Sequence, residues 1–243
     1  MTLITLFIIF LFNVGGYETT AEDFPYQAYV LVKSGRYTTY CGGSIINEEY
    51  VLTAAHCVHS FEISVRTGVT DIRESDEKAP IVPGTYTIHP KYNSNNNDYD
   101  AALIKLKRKL TFGKNSKAVE LVKSGEDIPA GTNVTVSGWG STSDAGSGSK
   151  ILMAVTTTVQ SDETCYRSFF SRYTSRMICT ERSGGGYNPC DGDSGGPLVE
   201  TASKKQVGIV SFGIADRCAS APLAYISMAN PEIRDWVTSI TGV

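Results

Sequence analysis

The stretch Asn188–Leu198, NPCDGDSGGPL, sets Ser194 between an aspartate and two glycines, with a third glycine at Gly192. A free serine hydroxyl is a poor nucleophile and needs a base beside it to take its proton. Glycine lacks the Cβ that blocks close approach and left-handed turns, so this clustering marks a place where the backbone itself is needed. The N–H groups of Gly192 and Ser194 can then point at one spot and hold a developing oxyanion. Gly195 and Gly196 allow a tight turn and close packing. Alone, the motif also fits a plain glycine-rich turn.

Histidine is the base best matched to neutral pH, and the chain has three: His56, His59 and His89. His56 lies in LTAAHC (Leu52–Cys57), after an apolar run and beside a cysteine whose disulfide could fix the backbone that carries the imidazole. His59 lies in the following turn. His89, in IHPKY (Ile88–Tyr92), reads as structural or solvent-facing. A catalytic imidazole also wants a carboxylate to hold its tautomer. NDYDAALIKL (Asn97–Leu106) offers two. Asp100 directly precedes the apolar run, where a strand enters the core, and a buried aspartate needs a partner. Asp98 reads as loop surface.

The chain has 243 residues, 41% hydrophobic and 19% charged, with a net charge of −3. Those values describe a folded chain with a sizeable core, and no basic field exists to attract nucleic acid. The apolar run MTLITLFIIFLF (residues 1–12) suits a signal-peptide core and is too short to span a bilayer. A buried N-terminal strand is the alternative. Six cysteines occur at Cys41, Cys57, Cys165, Cys179, Cys190 and Cys218, with no CxxC pair. A zinc ribbon or thioredoxin motif is thereby excluded, and a secreted, disulfide-bonded protein is expected, although spacing alone does not choose the pairing.

Short β-type runs recur between Gly, Asn, Asp and Ser turns: residues 26–32, 50–55, 62–68, 101–106, 133–140 and 206–213. Many short strands predict a barrel or sandwich. A polar stretch at 123–131 separates two halves, about 13–120 and 121–243. The segments 93–98 and 141–149 read as exposed loops. At the end, Asn230 is an N-cap and Pro231 the first helical residue. Ile233, Trp236, Val237 and Ile240 follow on one face, as a lid on the core.

The set LTAAHC, DAALIKL, SGWG (Ser137–Gly140), CDGDSGGPL and VSFG (Val210–Gly213), in that order, resembles the trypsin- and chymotrypsin-like serine proteases. The resemblance covers nearly the whole chain, from about Val14 to the C-terminal helix. It implies an all-β fold of two packed six-stranded antiparallel barrels with a C-terminal helix, and a triad in the cleft between the barrels. It assigns His56 as general base and acid, Asp100 as its orienting carboxylate and Ser194 as nucleophile. The amides of Gly192 and Ser194 become the oxyanion hole. Cys41 pairs with Cys57, Cys165 with Cys179 and Cys190 with Cys218. Ser211, Phe212 and Gly213 match the segment that receives the substrate backbone as an added strand. The partners implied are protein or peptide substrates and protein protease inhibitors, with no nucleic acid, membrane or cofactor, and a monomer is expected. The class implied is a secreted serine endopeptidase. A non-catalytic relative that binds partners through the same cleft is the alternative, and loss of a triad residue would favour it. A lipase or esterase would want GxSxG within an α/β pattern, whereas GDSGG puts aspartate and glycine around the serine in a chain whose elements read as all-β.

The chain departs from the family pattern in several places. The pocket-floor position six residues before the nucleophile, aspartate in trypsin-like members, is Asn188. A neutral amide cannot pair with a buried cation, so no strong preference for Arg or Lys is expected. Leu223 stands where family members commonly keep glycine; it should fill part of the pocket and favour Ala, Val or Leu over large aromatics. Gly213 keeps the entrance open. A longer loop at 214–217 would instead turn Leu223 away. The family's new N-terminus pairs with the aspartate before the catalytic serine, here Asp193. The matching segment is NVGGYE (residues 13–18), with Asn13 in place of isoleucine and no basic residue upstream. Either leader removal makes this N-terminus directly, or the true start differs. The acidic run 71–77 lies near the family's optional calcium loop, but Val69 at the first ligand position cannot coordinate, so exposed acidic surface is expected. Asn133 opens a glycosylation sequon, NVT, at a strand start.

Overall fold

A computed structural model describes residues 16–58, 62–141, 148–181, 192–214 and 221–243. The apolar run 1–12, read above as a signal peptide, and Asn13, His59, Asn188, Cys190 and Cys218 therefore lie outside the described residues, as does most of the 141–149 loop.

The first barrel uses β2 (Gln27–Ser34), β3 (Tyr37–Ile45), β4 (Tyr50–Thr53), β5 (Glu62–Thr67), β6 (Val82–Ile88) and β7 (Ala102–Leu106). They run in the order β2-β3-β4-β7-β6-β5, and β5 pairs back onto β2. The second uses β8 (Asn133–Gly138), β9 (Met153–Val159), β10 (Met177–Glu181), β11 (Pro197–Glu200), β12 (Gln206–Phe212) and β13 (Leu223–Ser227). Their order is β9-β10-β13-β12-β11-β8, closed by β8 on β9. All these pairings are antiparallel, and closure removes the exposed strand edges that would otherwise template association. The fold is thus all-β, with two six-stranded barrels.

β-branched and aromatic residues fill these strands because they fit a pleated, half-buried surface. β3 and β6 carry Gly42, Gly43, Pro83 and Gly84, which read as turn signals in isolation. Their cause is packing: a Cβ on Gly84 would meet Ile104 Cγ2 at 2.5 Å, and one on Gly42 would meet Gly196 Cα at 2.8 Å. Across the barrel interface the Ser137 hydroxyl donates to Gln27 Oε1 at 2.6 Å, both residues buried.

The chain ends cross between halves. β1 (Tyr17–Glu18) pairs with β9 of the second barrel. The helix α3 (Pro231–Thr241) buries Ile233 and Val237, with Trp236 and Ile240 partly covered, as its periodicity predicts. Asn230 Oδ1 caps it by accepting from Glu232 N at 3.1 Å. α3 packs back on the first barrel, where Trp236 meets His89 at 4.9 Å. A second helix, α2 (Asp162–Phe169), capped by Ser161 and followed by a 3-10 turn (Phe170–Arg172), lies before β10. Cys165 in α2 is bridged to Cys179 in β10. No described helix is long and apolar enough to cross a membrane.

The structural reading of His89 holds over the solvent-facing one, and the reading of Asp98 as loop surface needs correction. His89 does not face solvent; it is buried, stacked on Tyr99 at 4.8 Å, and its Nδ1 accepts from Lys91 N at 3.2 Å. Burial holds its pKa below the ordinary histidine value. Asp98 is not loop surface either. It is buried, ion-paired with Arg176, and accepts from Thr174 Oγ1 at 2.9 Å. A cation 78 residues away in sequence satisfies it, which local reading cannot see.

Candidate active site

β4 delivers the chain into α1 (Ala55–Val58), one helical turn that carries His56. Cys57 in the same turn is bridged to Cys41 in β3, which anchors the turn to the first barrel. Asp100 sits two residues before β7, the neighbour of β4, so sheet pairing alone brings histidine and carboxylate together. Asp100 Oδ2 lies 2.7 Å from His56 Nδ1, while Oδ1 accepts from His56 N at 2.9 Å. One carboxylate thus fixes both the backbone and the ring. Ser211, assigned from sequence to substrate pairing, places its hydroxyl on the same Asp100 Oδ2 at 2.6 Å. That role was missed; the serine at a strand end beside phenylalanine carried no signal for it. Asn97 Nδ2 approaches Oδ2 at 3.4 Å, from a backbone with φ of +60°.

The Asp100 side chain is fully buried and that of His56 is 29% exposed. Burial alone would raise the Asp100 pKa, but the hydrogen bond and charge of His56, with Ser211, hold it below the ordinary value. Burial alone would lower the His56 pKa, and the hydrogen bond and charge of Asp100 outweigh it, so the net shift is upward. With Nδ1–H donated to Asp100, Nε2 is left as the proton acceptor.

Ser194 comes from the second barrel. Its carbonyl accepts from Gly42 N at 2.8 Å, and Gly195 N donates to Val210 O at 2.8 Å, so the serine turn is clamped between β3 and β12. Gly195 has φ of +79°, and a Cβ there would meet Thr53 Oγ1 at 2.2 Å. Gly192 has φ of +99°, and a Cβ there would strike the Tyr40 ring at 2.6 Å. These two glycines let the turn form against the first barrel. Cys57 Sγ lies 3.8 Å from His56 Nε2 and 3.6 Å from the Ser194 carbonyl oxygen, which sets the imidazole and the serine side by side. Among the described residues no hydrogen bond joins Ser194 Oγ to Nε2 directly; such catalytic contacts often tighten only when substrate binds.

Asp193 is buried, and its Oδ1 accepts from Gly140 N at 2.9 Å. Its carboxylate fills the space where Gly138 and Gly140 would carry Cβ atoms, at 2.1 and 2.3 Å. The two glycines of SGWG therefore make room for the residue that precedes Ser194. Leu223 is buried in β13, and its Cδ1 lies 2.9 Å from where a Gly213 Cβ would stand. Leu223 therefore points toward Gly213. Phe212 is half-buried against Phe169, ring centroids 5.3 Å apart.

The residues do not fit calcium in the 70–79 loop. The carbonyls of Ile72, Glu74 and Ala79 accept from the buried Arg66 guanidinium, at 2.8 Å for Ile72 and 2.9 Å for Ala79. The cation that organises this loop is Arg66, and Val69 is buried among apolar neighbours.

A family model described as Trypsin matches residues 13–237. Among curated relatives, Trypsin 5G1 of Aedes aegypti is 33% identical over 232 residues, covering 95% of this chain and 85% of that protein. Trypsin of Sus scrofa is 38% identical over 220 residues, 89% of this chain and 91% of that one. The vitellin-degrading protease of Bombyx mori is 33% identical over 229 residues, 92% and 83%. The chain belongs to the trypsin family and is a serine endopeptidase.

Proposed function

We propose that the chain is a secreted, monomeric endopeptidase that cleaves after small or medium apolar residues through His56, Asp100 and Ser194. The observation that carries the triad is the paired hold of Asp100 on the His56 ring and backbone, at 2.7 and 2.9 Å. Ser194 Oγ attacks the peptide carbonyl as its proton passes to His56 Nε2. The imidazolium is stabilised by Asp100. The N–H groups of Gly192 and Ser194 receive the oxyanion, each donor lowering the barrier by about 3–4 kcal/mol. His56 then gives its proton to the leaving amine, an acyl-enzyme remains on Ser194, and water activated by His56 releases it. Ser211–Gly213 receives the substrate backbone. A new N-terminal ammonium docking beside Asp193 is the activation step, and protein protease inhibitors would occupy the same cleft.

The preference rests on Asn188, which offers no anion to a basic side chain, and on the approach of Leu223 to Gly213. Both argue against Arg and Lys, although relatives are named trypsins. No observation favours a non-catalytic binding protein, since all three triad residues are present. The test is a panel of peptide anilides ending in Ala, Val, Leu, Phe, Arg or Lys. Highest kcat/KM for the small and medium apolar group is expected; highest values for Arg or Lys would overturn the preference.

A further inference from the structure

The arginine Arg172 occupies an unusual place beside this site. Its guanidinium carbon lies 4.1 Å from the centre of the Phe212 ring. Phe212 directly follows Ser211, whose hydroxyl binds Asp100, so the stacked cation stands next to the backbone proposed to receive the substrate. Arg172 Nη2 also contacts Asn97 Oδ1 at 3.4 Å, and Asn97 Nδ2 contacts Asp100 Oδ2 at 3.4 Å. Two side-chain contacts thus separate Arg172 from the partner of His56.

The neighbouring arginines are committed elsewhere. Arg167 pairs with Glu163 and Arg176 with Asp98. Arg172 is exposed and pairs with no carboxylate among the described residues. Its platform is rigid: Phe212 packs with Phe169, Cys165, Cys179 and Ala224, and the Cys165–Cys179 bridge ties α2 to β10 beneath it. Stacking uses the π face of the guanidinium and leaves in-plane N–H donors free for a planar carboxylate. The ring face that an apolar substrate side chain would otherwise cover is already taken by charge.

We propose that Arg172 reads substrate: it selects peptides that carry Asp or Glu within about four residues of the scissile bond, on the side that lies along Ser211–Gly213. This rests on the proposed use of that segment as the substrate-binding strand. It gives the chain charge selection at a second position, of opposite sign to the classical basic preference that Asn188 removes.

The experiment scans Glu, Gln and Lys at each position within four of the cleaved bond, in otherwise identical fluorogenic peptides, with the active protein, with Arg172→Gln and with Arg172→Glu. At one position the parent should favour Glu over Gln by about fivefold in kcat/KM, a ratio that shrinks with added salt. Arg172→Gln should bring the ratio to about one, and Arg172→Glu should favour Lys over Gln there. A flat scan in a parent that cleaves the peptides, or a Glu preference that survives Arg172→Gln, overturns this inference alone. No cleavage of any peptide by the parent overturns the proposed function and this inference with it.

Discussion

Under the proposed preference for small and medium apolar residues, replacing Leu223 by glycine should shift the pocket toward aromatic side chains. The Leu223 Cδ1 approaches to 2.9 Å from a Cβ position on Gly213, so its isobutyl group lies between the start of β13 and the end of β12. A benzyl side chain entering the parent pocket must displace that group, an overpacking cost of about 1–3 kcal/mol. In Leu223→Gly the same benzyl group would instead gain burial worth about 1.5–3 kcal/mol. The Phe-to-Ala ratio of kcat/KM should therefore rise by at least about 2.5 kcal/mol, roughly seventyfold. Losing a buried leucine and placing glycine in a strand costs about 2.5–6 kcal/mol of stability, so rates must be scaled to titrated active sites. The assay compares anilides ending in Phe and Ala. An unchanged ratio, with the active-site titre intact, would show that Leu223 does not wall the pocket.

Asp100→Asn should lower kcat by about four orders of magnitude, because an amide N–H facing His56 favours the wrong tautomer. The parent's activity should rise with pH through a His56 pKa above 6.5, and in Asp100→Asn that limb should move to lower pH, since burial then acts unopposed. The same shifts affect stability. Asp100, depressed below 3.8, contributes stability that is lost as pH falls through its folded pKa; His56, raised, contributes stability present below 6.5 and lost as pH rises through its folded pKa. Thermal melts across pH would show both slopes. Gly140→Ala puts a Cβ 2.3 Å from Asp193 Oδ2, so the Gly192–Ser194 loop should shift and kcat/KM fall by about 10²–10³, measured on any cleaved anilide. Arg66→Gln removes the charged donor beneath the 70–79 loop and should lower Tm and speed proteolytic nicking there, while a chelator leaves the parent's Tm unchanged.

The two-barrel class was legible in the sequence through the ordered motif set, although not every strand was. His56 and Asp100 each sit in a motif, and their meeting follows from the pairing of β4 with β7; Ser194, in the GDSGG motif, is brought near by a turn of the second barrel that no strand neighbour predicts. The strands β3 and β6 were hidden because Gly42, Gly43, Pro83 and Gly84 look like breakers, and only the packed partner explains them. α2 was overlooked, though Ser161 followed by Asp162 and Glu163 is a readable helix start. Asp98 was misread because its partner, Arg176, lies far along the chain, and the two readings of His89 stayed open because Trp236 is equally remote. Ser211 and Asn97 joined the Asp100 shell without any local signal, since a hydroxyl or amide becomes a support only when the fold brings a buried charge to it. The glycines of SGWG could be recognised as significant, but that they cradle Asp193 required the two segments to be seen together.

The role of Ser194 as nucleophile is tested by covalent labelling of the mature protein with an active-site-directed organophosphate, followed by peptide mapping. Stoichiometric modification of Ser194 is expected, and it should be abolished in His56→Ala. Labelling that is absent from a folded protein, or that falls on another serine, would contradict that role.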